Sequence, residues 1–145
     1  MIYYFDTSVL VKLFVEEVGS AQTSVLVLRL EQSQTDQTFV SRLVLVELAA
    51  TIARAAREQR VSLEYAATTQ AVLRAGMPSP WQMQELAPEV ALRAMEMLEK
   101  HALRAADAIH LASALTVRAD VFGCADRRLC EAAAAEGLSV FNPTE

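Results

Sequence analysis

Apolar residues recur along this chain in two alternating rhythms. Ile2 to Phe5 is a short unbroken apolar run, the pattern of a strand covered on both faces of a parallel sheet. From Thr7 to Val15 the positions Val9, Leu10, Leu13 and Phe14 follow helical spacing. Gly19 and Ser20 interrupt it, and Ser20 is placed to cap a second helix from Ala21 to Glu31. After the polar stretch Gln32 to Asp36, Thr38 to Val40 is β-branched or aromatic and predicts a second strand. Ser41 then caps a long helix reaching about Arg60, and a further helix is predicted from Ser62 to Arg74, ended by Gly76. The stretch Met77 to Trp81 is rich in breakers, and Trp81 to Leu86 reads equally as a short strand or a turn.

Pro88 suits the first turn of a helix from Pro88 to His101, because a missing N–H costs nothing there. Another helix is expected from Ala105 to Val117, a strand from Asp120 to Cys124, and a helix from Arg127 to Glu136 closed by Gly137. Leu138 to Phe141 forms the last predicted strand. Strands alternate with helices from end to end, which predicts the α/β class with a parallel sheet. No repeat, linker or low-complexity tract divides the 145 residues, so a single domain over 1–145 is expected.

Composition changes this picture little. Apolar residues make up 53% of the chain and charged residues 21%, enough for a proper core and against disorder. No run of about 18 apolar residues and no signal-like segment is present, so a cytoplasmic protein that does not enter the membrane is expected. Cys124 and Cys130, six residues apart, match neither a metal knuckle nor a disulfide framework and are expected to be reduced packing residues. The net charge of −5 argues against broad electrostatic adhesion to nucleic acid. Eleven of the thirteen basic residues are nevertheless arginine, whose fork suits phosphate.

Candidate chemistry comes from acids set in apolar surroundings. Asp6 follows the first strand and Asp126 the strand ending at Cys124, both on the carboxyl edge where open parallel sheets bind ligands. Taken singly, each is equally well read as a helix N-cap. Glu47 lies in SRLVLVELAATIARAAREQR with Leu43, Val44, Ala50 and Thr51 around it at helical spacing. Little polar surface there explains it, and a buried functional acid is expected. Asp107, in LRAADAIHLASAL, sits near a helix start, where the dipole also favours an acid. Four acids meeting in one crevice repel unless they are paired or bind a cation. A hard ion such as Mg²⁺ or Mn²⁺ matches oxygen ligands, polarises a phosphoryl oxygen and acidifies water.

The segments FDTSVLVKLF, VLVELA, LRAADAIHLASAL and CADRRLCEAAAAEGLSVFNP resemble, in this order, those of the PIN-domain ribonucleases, most closely the VapC-type toxins of bacterial toxin–antitoxin systems. The resemblance implies a three-layer α/β/α domain with a central, mostly parallel sheet. It also implies Mg²⁺- or Mn²⁺-dependent hydrolysis of RNA, a cognate antitoxin partner and a homodimer. By motif, Asp6 and Asp107 correspond to the usual metal ligands, with Glu47 and Asp126 completing or supporting the site. Where the family often has Thr or Ser, two positions before the last acid, this chain has Cys124.

Around the acids, Ser8 and Thr7 are candidates for holding a carboxylate or phosphate oxygen, or for serving the first helical turn. His110 shares the face of Asp107 and is expected to be a packed helix histidine, since hard cations favour oxygen. Arg104, Arg127 and Arg128 flank two acids and suit RNA phosphate or an antitoxin. The alternative function is a PIN-like module that binds RNA or protein without cleaving it. A phosphatase or phospho-acceptor using Asp6 is disfavoured: Ser8 stands where a second acid is needed, and no lysine follows Lys100.

Overall fold

Five strands form one sheet in the order β3-β2-β1-β4-β5, and every pairing is parallel. In this computed structural model, which describes residues 1–77 and 80–145, the strands are β1 (Ile2–Phe5), β2 (Gln37–Ser41), β3 (Trp81–Gln84), β4 (Val121–Gly123) and β5 (Ser139–Phe141). The helices are α1 (Thr7–Leu10), α2 (Ser20–Gln32), α3 (Leu43–Arg57), α4 (Leu63–Ala75), α5 (Pro88–Lys100), α6 (Ala105–Thr116) and α7 (Arg127–Ala135). Pro78 and Ser79, part of the breaker-rich stretch before Trp81, lie outside the described residues.

Successive residues of a strand face opposite sides of the sheet, and the core divides accordingly. Tyr4 and Phe122 pack on one side with Ala108 and Leu111 of α6, Val90 and Met97 of α5, and Leu129 of α7. Tyr3 and Phe5 pack on the other with Val9 and Leu10 of α1, Leu30 of α2, Val44 and Leu48 of α3, and Leu73 of α4. Helices on both faces of a parallel sheet give the expected α/β/α layers, with a sheet that is parallel throughout its pairings. No helix among the described residues is long and apolar enough to cross a membrane.

The chain leaves β1 toward β2 and β3 on one side, then returns to β4 and β5 on the other. A crevice therefore opens beyond the carboxyl ends of β1 and β4, where the strand order reverses. Gly123 lets the two strands meet closely there. A Cβ at this position would run into the Phe5 ring.

Several boundaries differ from the sequence pattern. The first helix is only Thr7–Leu10, tightening into a 3₁₀ turn over Val11–Leu13. Gly19, at φ 92°, is the N-cap of α2, while Ser20 Oγ instead accepts from the Glu17 N–H at 3.0 Å. Ser41 ends β2, its hydroxyl accepting from the Leu43 N–H at 3.1 Å, and α3 stops at Arg57 because Gln59 takes a positive φ. Ser62 caps α4 through the Tyr65 N–H at 3.0 Å as its position suggests. The open reading at Trp81 resolves as a strand.

The cysteine expectation is corrected. Cys124 and Cys130 form a disulfide, with Cα atoms 6.0 Å apart. α7 starts three residues after Cys124 and folds back at once, so a residue one turn into the helix returns over the strand end. Linear spacing of six conceals that return.

Candidate active site

Asp6 is delivered by β1 as the residue just past its end, and its N–H extends the ladder to the Gly123 carbonyl at 3.0 Å. It is 4% exposed. Its Oδ1 accepts from Ser8 Oγ at 2.6 Å and, as the N-cap of α1, from the Val9 N–H at 3.3 Å. Asp126 likewise caps α7, its Oδ1 accepting from the Leu129 N–H at 3.0 Å. Both capping roles are therefore real, and each engages one carboxylate oxygen while the residue still borders the cleft.

Glu47 projects from the second turn of α3. Its Oε1 accepts from Thr7 Oγ1 at 2.8 Å and lies 2.6 Å from His110 Nε2. Its side chain is 31% exposed, so this acid is half-buried, at the edge of the core rather than within it. Asp107, in the first turn of α6, is half-buried as well. Ser8 does more than serve a helical turn: its Oγ also accepts from the Ala125 N–H at 2.8 Å, tying Asp6 to the loop after β4.

These residues share one cleft of about 970 Å³, lined by all four acids, Thr7, Ser8, His110, Arg104, Arg127 and Arg128. A smaller hollow of about 640 Å³ beside Lys12 and Tyr65 holds no comparable set of acids. Arg127 pairs with Glu131 at 2.9 Å, whereas Arg104 and Arg128 form no ion pair among the described residues. Cys124 is fully buried with its sulfur turned to Cys130, so the position that often carries a hydroxyl in similar sequences is not on the cleft wall.

The electrostatics register the crowding. Burial pushes the Asp6 carboxyl up to about 6; His110, Ser8 and the Val9 N–H oppose the rise, and Asp107 adds to it. Asp107 is also raised, by burial first and then by the charges of Asp126 and Glu47, with His110 opposing. Glu47 goes the other way: burial raises it, but the hydrogen bonds and charge of His110 and the Thr7 hydroxyl outweigh this and hold it below the ordinary range.

No three of the His, Cys, Asp and Glu side chains among the described residues form a ready-made metal cage. Asp6, Glu47 and Asp126 each turn an oxygen to a donor of the chain itself. The donor set still fits a hard divalent ion, since it is all oxygen and Asp6, Asp107 and Asp126 have no Lys or Arg partner among the described residues.

Sequence reasoning undervalued His110. It is packed, as expected, at 1% exposure, but both ring nitrogens are engaged: Nδ1 lies 2.9 Å from the Tyr4 hydroxyl and Nε2 meets Glu47. A histidine three residues after an acid on an otherwise apolar helix was the available signal.

Residues 3–135 match the family model of the PIN domain. The chain belongs to the PIN-domain family. Two curated relatives from Mycobacterium tuberculosis, Ribonuclease VapC45 and Ribonuclease VapC49, are each 36% identical over 139 residues, covering 94% of this chain and 92% of theirs. Among solved structures, FitAcB from Neisseria gonorrhoeae superposes with a TM-score of 0.72 at 17% identity, covering 99% of this chain and 98% of that one. VapC20 of Mycobacterium tuberculosis, described as a sarcin–ricin loop cleaving toxin, gives 0.66 at 18% identity over 94% and 95% of the two chains. VapBC2 from Rickettsia felis, solved on a promoter DNA fragment, gives 0.66 at 16% identity and covers 98% of each. These structural likenesses bear on the PIN fold itself.

Proposed function

We propose that this chain, acting as one domain over 1–145, is an endoribonuclease that hydrolyses RNA phosphodiester bonds with Mg²⁺ or Mn²⁺. We further infer that it is the toxin of a toxin–antitoxin pair. The observation that carries the reading is the convergence of Asp6, Glu47, Asp107 and Asp126 on one cleft at the switch point of the sheet. The ribonuclease names of the 36% identical relatives support it. A module that only bound RNA would gain nothing from four acids that repel both each other and phosphate.

Asp6 and Asp107 would hold the ion, with Glu47 and Asp126 completing the site. When bound, the ion supplies Lewis-acid polarisation of a phosphoryl oxygen and a more acidic water. The chain's own groups do the rest. Ser8 and the Val9 N–H fix one oxygen of Asp6, so the other is presented in a constant direction. Glu47, kept ionised by its neighbours, offers a carboxylate oxygen to the ion. Arg104 and Arg128, on the rim and without an ion pair among the described residues, meet phosphate oxygens and offset the repulsion between RNA and the acids.

An antitoxin partner follows from the same reading, supported by the toxin–antitoxin complexes among the structural neighbours. We also propose a homodimer, since Val46 of α3 and Val72 of α4 remain exposed, and a cytoplasmic site of action.

The deciding experiment is cleavage of a mixed RNA pool with Mg²⁺, Mn²⁺ or EDTA by the wild type and Asp6→Asn. Cleavage that needs the ion and is lost in the variant is expected; cleavage surviving EDTA or the substitution rules the mechanism out. For the toxin role, expression without a partner should arrest growth, and Asp107→Asn should relieve the arrest.

A further inference from the structure

His110 is an expensive residue for its place. Its neighbours on α6, Ala108, Leu111 and Ala112, are fully buried, and so is Tyr4 beneath it. An imidazole in such surroundings is destabilising unless both nitrogens find partners, and a leucine would serve the core better. Both nitrogens do find partners, and those partners come from different layers. Tyr4 belongs to β1, whereas Glu47 belongs to α3, which packs on the opposite face of the sheet from α6. One ring therefore bridges the two helix layers across the carboxyl edge.

His110 Nε2–H donates to Glu47 Oε1 at 2.6 Å, and Nδ1 shares a hydrogen bond of 2.9 Å with the Tyr4 hydroxyl, whose direction follows the protonation of the ring. Thr7 Oγ1 donates to the same oxygen at 2.8 Å. Tyr4 is itself fixed, its ring stacked on Phe122 with centroids 5.6 Å apart. The chain of bonds thus runs from a rigid aromatic pair in the core to one named oxygen, and the second oxygen of Glu47 remains for the cleft.

We propose that His110 is a positioning residue, which with Tyr4 behind it holds Glu47 Oε1 so that Oε2 is presented to the ion and substrate. The proposal rests on Glu47 being a working acid of the site described above. It differs from a plain core role in what it makes of the hydroxyl of Tyr4, which touches neither the cleft nor Glu47.

The test uses the full-length protein and Mn²⁺ as the probe, comparing wild type, Asp6→Asn, His110→Leu, His110→Gln and Tyr4→Phe. Binding of Mn²⁺ is followed by calorimetry or electron paramagnetic resonance, and RNA cleavage is resolved into kcat and KM. Loss of a partner behind a ligand commonly weakens metal binding by about 10–100-fold, and His110→Leu is expected at about tenfold with kcat reduced and KM little changed. His110→Gln, which keeps a donor for Glu47, should recover part of the loss, and Tyr4→Phe should fall about threefold short of wild type, below the range for a direct partner because Tyr4 acts on Glu47 only through His110.

Wild-type Mn²⁺ affinity and kcat in a folded His110→Leu protein overturn the proposal and leave a packed histidine. Should that variant fail to fold, Tyr4→Phe decides, and an unchanged Mn²⁺ affinity there overturns it equally. A wild type that neither binds Mn²⁺ nor cleaves RNA removes the nuclease reading itself, and this role with it; that result is distinct from a working wild type indifferent to His110.

Discussion

The N–H of Asp6 donates to the carbonyl of Gly123 at 3.0 Å, so the first acid of the chain is fixed by the second strand of the switch point. Gly123 also lies against the Phe5 ring, and a Cβ there has no room. Gly123→Ala is expected to push Phe5 and the end of β1 aside, destabilising the protein by about 1–3 kcal/mol, the usual range for overpacking. Because Asp6 moves with β1, cleavage should fall more than the unfolded fraction alone accounts for. Urea unfolding and RNA cleavage measured on the same preparation check this. A variant as stable as wild type would show that the strands can separate freely.

Ser8 joins Asp6 to Ala125 through one hydroxyl. Ser8→Ala removes a donor from the buried carboxylate and an acceptor from the Ala125 N–H. The expected loss is about 1.5–3 kcal/mol of stability, in the range of a bond to a charged group. Cleavage should drop while the KM for RNA stays near wild type, since Ser8 orients an acid rather than the substrate. An increase in KM with unchanged kcat would instead make Ser8 a substrate contact.

Arg128 borders the cleft without an ion-pair partner among the described residues. Arg128→Gln should raise the KM for RNA, leave kcat close to wild type, and lower the salt slope of binding by about 1, as the loss of one phosphate contact does. An unchanged KM together with weaker inhibition by the antitoxin would assign the arginine to the partner.

Local physics was the legible part of this fold. The apolar run of β1, the Gly76 stop, the Pro88 start and the Gly137 stop all depend on neighbours a few residues away, and each stands where the pattern put it. The convergence of the acids was legible for a different reason: strand ends and helix starts of a parallel sheet meet on one edge, so topology alone groups Asp6, Asp107 and Asp126. What escaped were contacts across long separations. His110 meets Glu47 and Tyr4 from 63 and 106 residues away, and nothing in its helix announces either partner. The Cys124–Cys130 bond escaped although the residues are close, because it depends on how abruptly α7 turns back.

That disulfide leads to its own expectation. It closes a very short loop across Asp126, and the chain-entropy contribution of such a loop is about 2 kcal/mol. Unfolding in urea with and without a thiol reductant should differ by roughly that amount. Protein unfolded without reductant should take up no alkylating agent, and mass spectrometry reads the outcome directly. Two adducts in the unreduced sample would return the cysteines to the role of packing residues.

The raised carboxyl of Asp6 makes stability depend on pH in a definite direction. Its folded-state value is about 6, above the 3.8 of a free aspartate, so the folded protein favours the protonated acid. This contribution is fully present below the unfolded value and is lost as pH rises through about 6. The shift of about two units corresponds to roughly 3 kcal/mol between acid and neutral pH. Asp6→Asn has no proton to lose there. In EDTA, its stability relative to wild type should therefore increase from about pH 4 to pH 7, the span over which the Asp6 charge develops. Mn²⁺ added to the wild type should restore stability mainly above that transition, where the charge it neutralises exists. Parallel stability curves for the two proteins across this range would mean that Asp6 carries its charge without penalty, and that the cleft is better solvated than its geometry indicates.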